Sequence, residues 1–256
     1  MKTQSGLIGF FDVLGYQDIL KNNSAEIAAE SVLPILTGLK QTIPKIINKN
    51  IHDNIKDDAF STKEFSPGEI KKGFSTMIDA VDWLIFSDTI LLRMPVKTIK
   101  EASLEIQIFF TVCTHMLKAM FDAGLPLRGA IDFGDYCVQK NCFTGQPIVD
   151  SYQLSEKLEL SACVLSERFR KEIFIGLKGL SMASQLSILL YLVPTKDGEK
   201  KYYTLPYYPF IKAGNDLRDT VLSSFWKHNK TIPLSVQDKV RNTEQWFRFV
   251  KTKRPK

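Results

Sequence analysis

Two apolar runs in this chain each reach an aspartate where a buried strand would have to end or turn. The first is Leu7-Ile8-Gly9-Phe10-Phe11-Asp12-Val13-Leu14-Gly15-Tyr16, and the second is Trp83-Leu84-Ile85-Phe86-Ser87-Asp88-Thr89-Ile90-Leu91-Leu92. Short continuous apolar runs of this kind suit strands covered on both faces. Each aspartate therefore reads as a carboxylate held at the exposed end or turn of such a strand. Two carboxylates brought side by side can hold divalent metal ions against a phosphate chain.

The pattern between and beyond these runs sets the layout. Gly6–Val13 is predicted to be a strand and Tyr16–Leu20 the start of a helix. Ala25–Lys49 has helical spacing through Ile27, Val32, Ile35, Leu36, Leu39, Ile43, Ile46 and Ile47, with Pro34 and Pro44 expected to bend or break it. The polar stretch 50–73 reads as a surface insertion or mobile loop. Ala80–Phe86 and Thr89–Met94 form a hairpin around Ser87-Asp88. Ile99–Phe121 is helical with Gly124 as its stop. Leu127–Phe133 and Tyr136–Val138 are two strands around Gly134-Asp135, followed by a helix at Pro147–Leu158, a strand at Ala162–Leu165 and a helix at Glu167–Ile173. In the last third, Leu186–Val193 and Lys201–Leu205 pair as a hairpin, and Asn215–Trp226 and Val236–Val250 are helices. The order suggests a split βαβ layout on one sheet. In that layout the end of the first strand and the turn of the central hairpin lie side by side, which is the reason to take Asp12 and Asp88 together.

Composition narrows the class without choosing a ligand. With 256 residues, 44% hydrophobic and 24% charged, the chain can bury an ordinary core. We expect residues 1–180 to form one domain and 181–256 an extension packed on it. The net charge of +6 suits an anionic ligand such as a nucleotide, and suits nucleic acid almost as well. No extended basic and aromatic stretch favours nucleic acid, and Lys251–Lys256 reads as a frayed, solvated end. Cys113, Cys137, Cys142 and Cys163 lack zinc spacing and read as reduced, packed thiols. His52, His115 and His228 are scattered and receive no role. A polar start and the lack of a run of about 20 apolar residues lead us to expect no signal peptide, no membrane contact and a cytoplasmic location.

Four elements then carry a family resemblance. Phe11-Asp12-Val13-Leu14-Gly15-Tyr16 resembles the F-D-I/V-V/L-G-F/Y element of class III nucleotide cyclases. Phe86-Ser87-Asp88 resembles that family's second metal aspartate, normally written G-D. Leu125 to Gly134 resembles its L-x-x-R-x-G-I-x-x-G strand, and Gly145 to Leu154 its G-x-x-I/V-x-x-A-Y-x-L helix. The set occurs in the family's order between Gly6 and about Leu165. It is most similar to the pyrimidine cyclases of Pycsar anti-phage systems, which make cyclic UMP or cyclic CMP.

The resemblance implies an α+β fold, a ferredoxin-like palm with helices over one sheet face and a C-terminal α/β extension. It implies a head-to-tail homodimer with shared sites, two Mn²⁺ or Mg²⁺ ions per site, and a nucleoside triphosphate substrate. Asp12, Asp88 and the Val13 carbonyl would hold metal, and Arg128 would be catalytic. Backbone N–H groups of Leu14, Gly15 and Tyr16 at a helix start could hold the triphosphate. Read without the resemblance, Asp12 is also a candidate helix cap, Asp88 a plain turn residue, and Arg128 the partner of Asp132, Asp135 or Asp150. Tyr152 could simply pack in the core.

The chain departs from the purine cyclases of this class at three positions. Val149 and Gln153 stand where the family has its transition-state asparagine and arginine, and Leu84 stands where a lysine reads adenine. These changes are compatible with UTP or CTP as substrate. They are equally compatible with an inactive, cyclase-like nucleotide-binding or regulatory module. A polymerase-like palm is a third reading of the same paired aspartates.

Overall fold

Strand β1 (Lys2–Val13) lies in the middle of an antiparallel group and is paired along nearly its whole length. The structure is a computed structural model that describes residues 2–54, 67–139, 142–176 and 187–253. After β1 come α1 (Tyr16–Asn22), α2 (Ala25–Asn54) and α3 (Pro67–Asp79). The hairpin β2 (Asp82–Phe86) and β3 (Thr89–Pro95) follows, then a 3-10 turn at Ile99–Glu101 and α4 (Ser103–Asp122). Next are β4 (Leu127–Gln139), β5 (Cys142–Thr144), α5 (Gln146–Lys157), β6 (Cys163–Leu165) and α6 (Glu167–Gly176). The chain ends with β7 (Leu189–Thr195), β8 (Gly198–Thr204), α7 (Leu217–Trp226) and α8 (Leu234–Lys253).

The sheet order is β2-β3-β1-β4-β6-β8-β7, with β5 paired to β4. Its first four strands, β2-β3-β1-β4, are antiparallel throughout and joined through α1–α3, the hairpin turn and α4. That is the split βαβ, ferredoxin-like arrangement, so the fold is an α+β palm. β6 joins parallel to β4, and the β7–β8 hairpin continues the sheet through β8. The last third is thus an extension of the same sheet. The expected division at residue 180 falls at 177–186, outside the described residues.

Alternation of side chains along the strands sorts the core. Leu7, Phe11 and Val13 of β1 and Ile90, Leu92 and Met94 of β3 are buried in one cluster with Ile106, Phe109, Cys113, Met116 and Leu117 of α4. On the other face Ile8, Leu91 and Tyr136 form a smaller cluster with Phe10, Leu84 and Ile148 of α5. α4 is long and apolar enough to cross a membrane, which the sequence was not expected to contain. Its apolar stretch is instead mostly buried as the central core helix. Gly124 ends it at φ 86°, with its N–H on Phe121 O at 3.0 Å and the Leu125 N–H on Met120 O at 2.8 Å. This is a Schellman stop, which needs a residue tolerant of positive φ.

Several expected boundaries move. β1 starts earlier, and β4 is one strand running through Gly134-Asp135 rather than two. The polar stretch from residue 50 is in part helix, since α2 runs to Asn54 and α3 starts at Pro67; residues 55–66 lie outside the described set. Lys251–Lys253 is helical rather than frayed. The four cysteines are free, with Cys113 and Cys163 fully buried, whereas Cys142 is exposed.

α2 also passes through Pro34 and Pro44 without a break. Its buried stripe of Ala28, Val32, Leu36, Leu39, Ile43 and Ile47 is continuous across both prolines. Glu30 and Lys40, whose carbonyls lose their partners, lie on the exposed side where water can satisfy them. Burial of the stripe outweighs the proline penalty. Pro34→Ala should therefore raise stability by about 1–3 kcal/mol in urea unfolding. A loss of stability would show that the proline shape is needed.

Candidate functional site

β1 ends against the β2–β3 turn, and this brings the two aspartates together. The Val13 N–H donates to the Asp88 carbonyl at 3.1 Å, and Asp12 sits opposite Thr89 in the register. Ser87 takes φ 55° at the turn, a conformation that costs a side-chain-bearing residue about 1–2 kcal/mol and that glycine adopts freely. The Asp88 carboxylate makes no hydrogen bond or ion pair among the described residues. Asp12 is not a helix cap, because Gly15 occupies the cap position of α1.

Arg128 faces Asp12 directly across the β1–β4 ladder. Its Nε and Nη2 both reach Asp12 Oδ2 at 2.9 Å. On the other side, Nη2 donates to Glu156 Oε1 at 2.8 Å and Nη1 to the Glu156 carbonyl at 3.1 Å. The expected partners Asp132, Asp135 and Asp150 are engaged elsewhere. Asp132 is buried against Arg168 and Ser166, Asp135 accepts from Ser5, and Asp150 pairs with Arg168 at 3.2 Å. Strand geometry explains the difference: four residues along β4 carry Asp132 roughly 13 Å from Arg128, whereas its cross-strand neighbour is adjacent.

One guanidinium thus serves two carboxylates, with a third beside them. Burial pushes the Asp12 carboxyl above its ordinary range; Arg128 pulls it back, and the Asp88 and Glu156 charges add to the rise. Tyr152, for which packing in the core was one reading, is about half exposed on α5. Its ring meets Phe10 edge-on at 5.3 Å, and its hydroxyl donates to Glu156 Oε2 at 3.3 Å.

The turn after β1 splits the expected backbone donors. The Leu14 N–H is spent on the Pro126 carbonyl at 2.9 Å, so it does not face a ligand as expected. The N–H groups of Gly15 and Tyr16 make no hydrogen bond among the described residues. Gly15 stands at φ 79°, and a Cβ there would come within 2.9 Å of Lys230 Cδ. Both conformation and space require the glycine.

These residues border a cleft of about 500 Å³, within the range of small-molecule sites. Asp12, Val13, Gly15, Tyr16, Asp18, Asp88, Arg128 and Glu156 border it together with Lys230, Thr231, Ser235 and Lys239 of the extension. Glu156, Lys230, Thr231 and Lys239 were not singled out from sequence. Glu156 was within reach of it, lying one helical turn beyond Tyr152 on α5. Val149 and Gln153 are exposed on α5 and are absent from this cleft, while Leu84 is half-buried on the second sheet face.

Among the described residues there is no cluster of three or more His, Cys, Asp or Glu side chains arranged as a complete metal site. The cleft instead offers an unpartnered carboxylate, Asp88, beside a carboxylate crowded by like charge, Asp12. One or two carboxylates completed by substrate phosphate oxygens is how Mg²⁺ is usually bound, so these residues fit such an ion.

No protein-family model and no curated protein matches this chain. Solved structures give distant likenesses. A class III adenylyl cyclase-like ATP-binding protein from Pseudomonas aeruginosa is 11% identical, over 72% of this chain and 40% of that chain, with a TM-score of 0.41. This chain therefore spans well under half of that protein's length. A bacterial light-regulated adenylyl cyclase is 10% identical, over 98% of this chain and 100% of that chain, with a TM-score of 0.40. The strand order, rather than these distant likenesses, defines the palm.

Lys230 supplies a test of the cleft's packing. Its ammonium donates to the carbonyls of Gly124 at 2.6 Å and Ser224 at 3.0 Å, and burial lowers its pKa to about 7. The unfolded chain keeps this proton up to about pH 10.5. Between those values the unfolded state binds more protons, so this residue favours folding increasingly as pH rises. Urea unfolding should show a gain of about 2 kcal/mol from pH 7 to pH 9 in the wild type that Lys230→Met lacks. Equal pH dependence in both proteins would contradict the burial argument.

Proposed function

We propose that this protein is a metal-dependent nucleotidyl cyclase that converts UTP or CTP to a 3′,5′-cyclic nucleotide and pyrophosphate. The observation that carries the reading is the meeting of Asp12 and Asp88 at the head of a polar cleft. The donor set, two carboxylates with the Val13 carbonyl beside them, suits Mg²⁺ or Mn²⁺, two per site. Such ions, when bound, lower the pKa of the attacking 3′-hydroxyl and neutralise the leaving phosphates.

The chain's own groups then have separable tasks. Asp12 and Asp88 fix the cation position between strand end and turn. Gly15 and Tyr16 present backbone N–H groups to the phosphates, and the absence of a Cβ at Gly15 leaves room for the Lys230 stem beside them. Arg128 offers a guanidinium whose fork matches phosphate oxygens as well as carboxylates. When an anionic substrate arrives, Arg128 can exchange part of its contact with Asp12 for the phosphate. That exchange frees an Asp12 oxygen for the cation. Protons and cations compete for Asp12, so metal affinity is expected to rise with pH.

The pyrimidine assignment is supported by the apolar Leu84 where a base-reading lysine would stand. The exposed Val149 and Gln153 suit a site completed by a second copy, and hence a head-to-tail homodimer. By the same resemblance the product would be a second messenger in cytoplasmic anti-phage defence. One observation favours a second reading, a nucleotide-binding module without turnover. Arg128 already neutralises Asp12, and Val149 and Gln153 bring no ionic group.

Incubation with Mn²⁺ and each of the four ribonucleoside triphosphates, followed by mass analysis, tests the choice. A cyclic product from UTP or CTP is expected, and Asp12→Ala and Asp88→Ala should each reduce it by at least 100-fold, roughly the loss of about 3 kcal/mol or more of transition-state stabilisation. Nucleotide binding with no cyclic product would establish the module instead. Full activity in Asp88→Ala would refute the two-aspartate site.

A further inference from the structure

The connection between α7 and α8 brings Lys230, Thr231 and Pro233 to the border of the cleft. It is a built segment. His228 and Asn229 take consecutive left-handed conformations, φ 62° and 59°, unusual for residues with side chains. Each is pinned. Asn22 donates to the Asn229 carbonyl at 2.7 Å, Asn23 to the His228 carbonyl at 3.1 Å, and Asn229 to the Asn23 side chain at 2.7 Å. The His228 ring meets the Ala123 carbonyl at 2.9 Å. Thr231 is tied to α1 through Asp18 at 2.9 Å. The sharp bend lays the Lys230 stem against Gly15, in the turn next to Asp12.

Lys230 is 2% exposed, yet its ammonium touches only backbone carbonyls and has no carboxylate partner. Buried cations are ordinarily paired with an anion. Burial lowers its pKa, and the charge of Asp18 pulls it only part of the way back. A second cation, Lys239, borders the same cleft and is held by Glu159 at 3.1 Å. Thr231, whose hydroxyl donates to Asp18, and Ser235 border the cleft beside them. The extension thus brings Lys230, Thr231, Ser235 and Lys239 to a cleft that also holds the carboxylates of Asp12, Asp18, Asp88 and Glu156.

We infer that the α7–α8 connection is the phosphate-holding wall of this cleft, with Lys230 and Lys239 taking the terminal phosphates of a nucleoside triphosphate. This rests on the nucleotide reading of the site, and it assigns the C-terminal extension a part in ligand binding. The aspartates hold the cation side of the polyphosphate, and the lysines neutralise its far end. Lys239 exchanges Glu159 for phosphate, so Glu159 acts as its competitor. The wall grips phosphate chain length and is indifferent to the base.

Inorganic tripolyphosphate and orthophosphate, titrated by calorimetry in the presence of Mg²⁺, test this without a base or turnover. Wild type should bind tripolyphosphate at least tenfold more tightly than orthophosphate. Lys239→Ala and Lys230→Met should each weaken tripolyphosphate binding by tenfold or more, with far-UV circular dichroism confirming the fold. Glu159→Gln should tighten it, which a merely structural Lys239–Glu159 pair would not do. Absence of tripolyphosphate binding in wild type, or equal binding in wild type, Lys239→Ala and Glu159→Gln, would overturn the inference. The cyclase reading fails separately. Loss of tripolyphosphate binding in the lysine variants alongside no cyclic product from any triphosphate would uphold this wall and remove the enzyme.

Discussion

Strand β1 is hydrogen-bonded on both edges, to β3 and to β4, and every feature of the cleft is placed from its end. Pairing with β3 brings Asp12 to the hairpin turn, where the Val13 N–H closes onto the Asp88 carbonyl. Pairing with β4 sets Arg128 opposite Asp12. A shift of one residue in either ladder would turn Asp12 to the other face of the sheet. The alternation of buried Leu7, Phe11 and Val13 against α4 with Ile8 and Phe10 on the second face prevents that slip. Packing of the core and geometry of the site are therefore one constraint.

The charges at that point are arranged to receive something. Asp12 and Glu156 share a single guanidinium, and nearby Asp88 has no hydrogen-bond or ion-pair partner among the described residues. Lys230, on the border of the same cleft, is a buried cation whose hydrogen bonds go only to backbone carbonyls. In the proposed reading a cation with a polyphosphate answers both: the ion relieves the carboxylates, and the phosphates give Lys230 an anion and replace Glu159 at Lys239. Such a cleft has no use for an apolar ligand. The same arrangement explains how the ligand-free protein tolerates the site, since the Arg128 contacts to Asp12 and Glu156 satisfy part of the charge until they are exchanged.

Much of the palm was legible because its signals are local. The Ser87-Asp88 turn, the Gly124 stop and the helical stripes of α2 and α4 each follow from a few neighbouring residues. The meeting of Asp12 and Asp88 followed once the split βαβ order was read. What was not legible depended on pairing across distance. For Arg128 the sequence offered a catalytic role or a partner along its own chain neighbourhood, whereas the register gave it Asp12 from another strand and the packing of α5 gave it Glu156. The prolines of α2 were read by their local penalty, and the buried stripe outweighed it. Lys230 sits in a connection with no periodicity, far in sequence from Gly15, and only the fold of the extension brings it to the cleft.

The central claim is that Asp12 and Asp88 share one divalent cation. Mn²⁺ binding followed by electron paramagnetic resonance in Asp12→Asn, Asp88→Asn and the double variant tests it most directly. If the ion is shared, each single change should weaken Mn²⁺ binding strongly and the double change little further, because two groups on one ion are not independent. Losses that simply add, or Mn²⁺ affinity unchanged in the double variant, would show that the two aspartates do not hold a common ion.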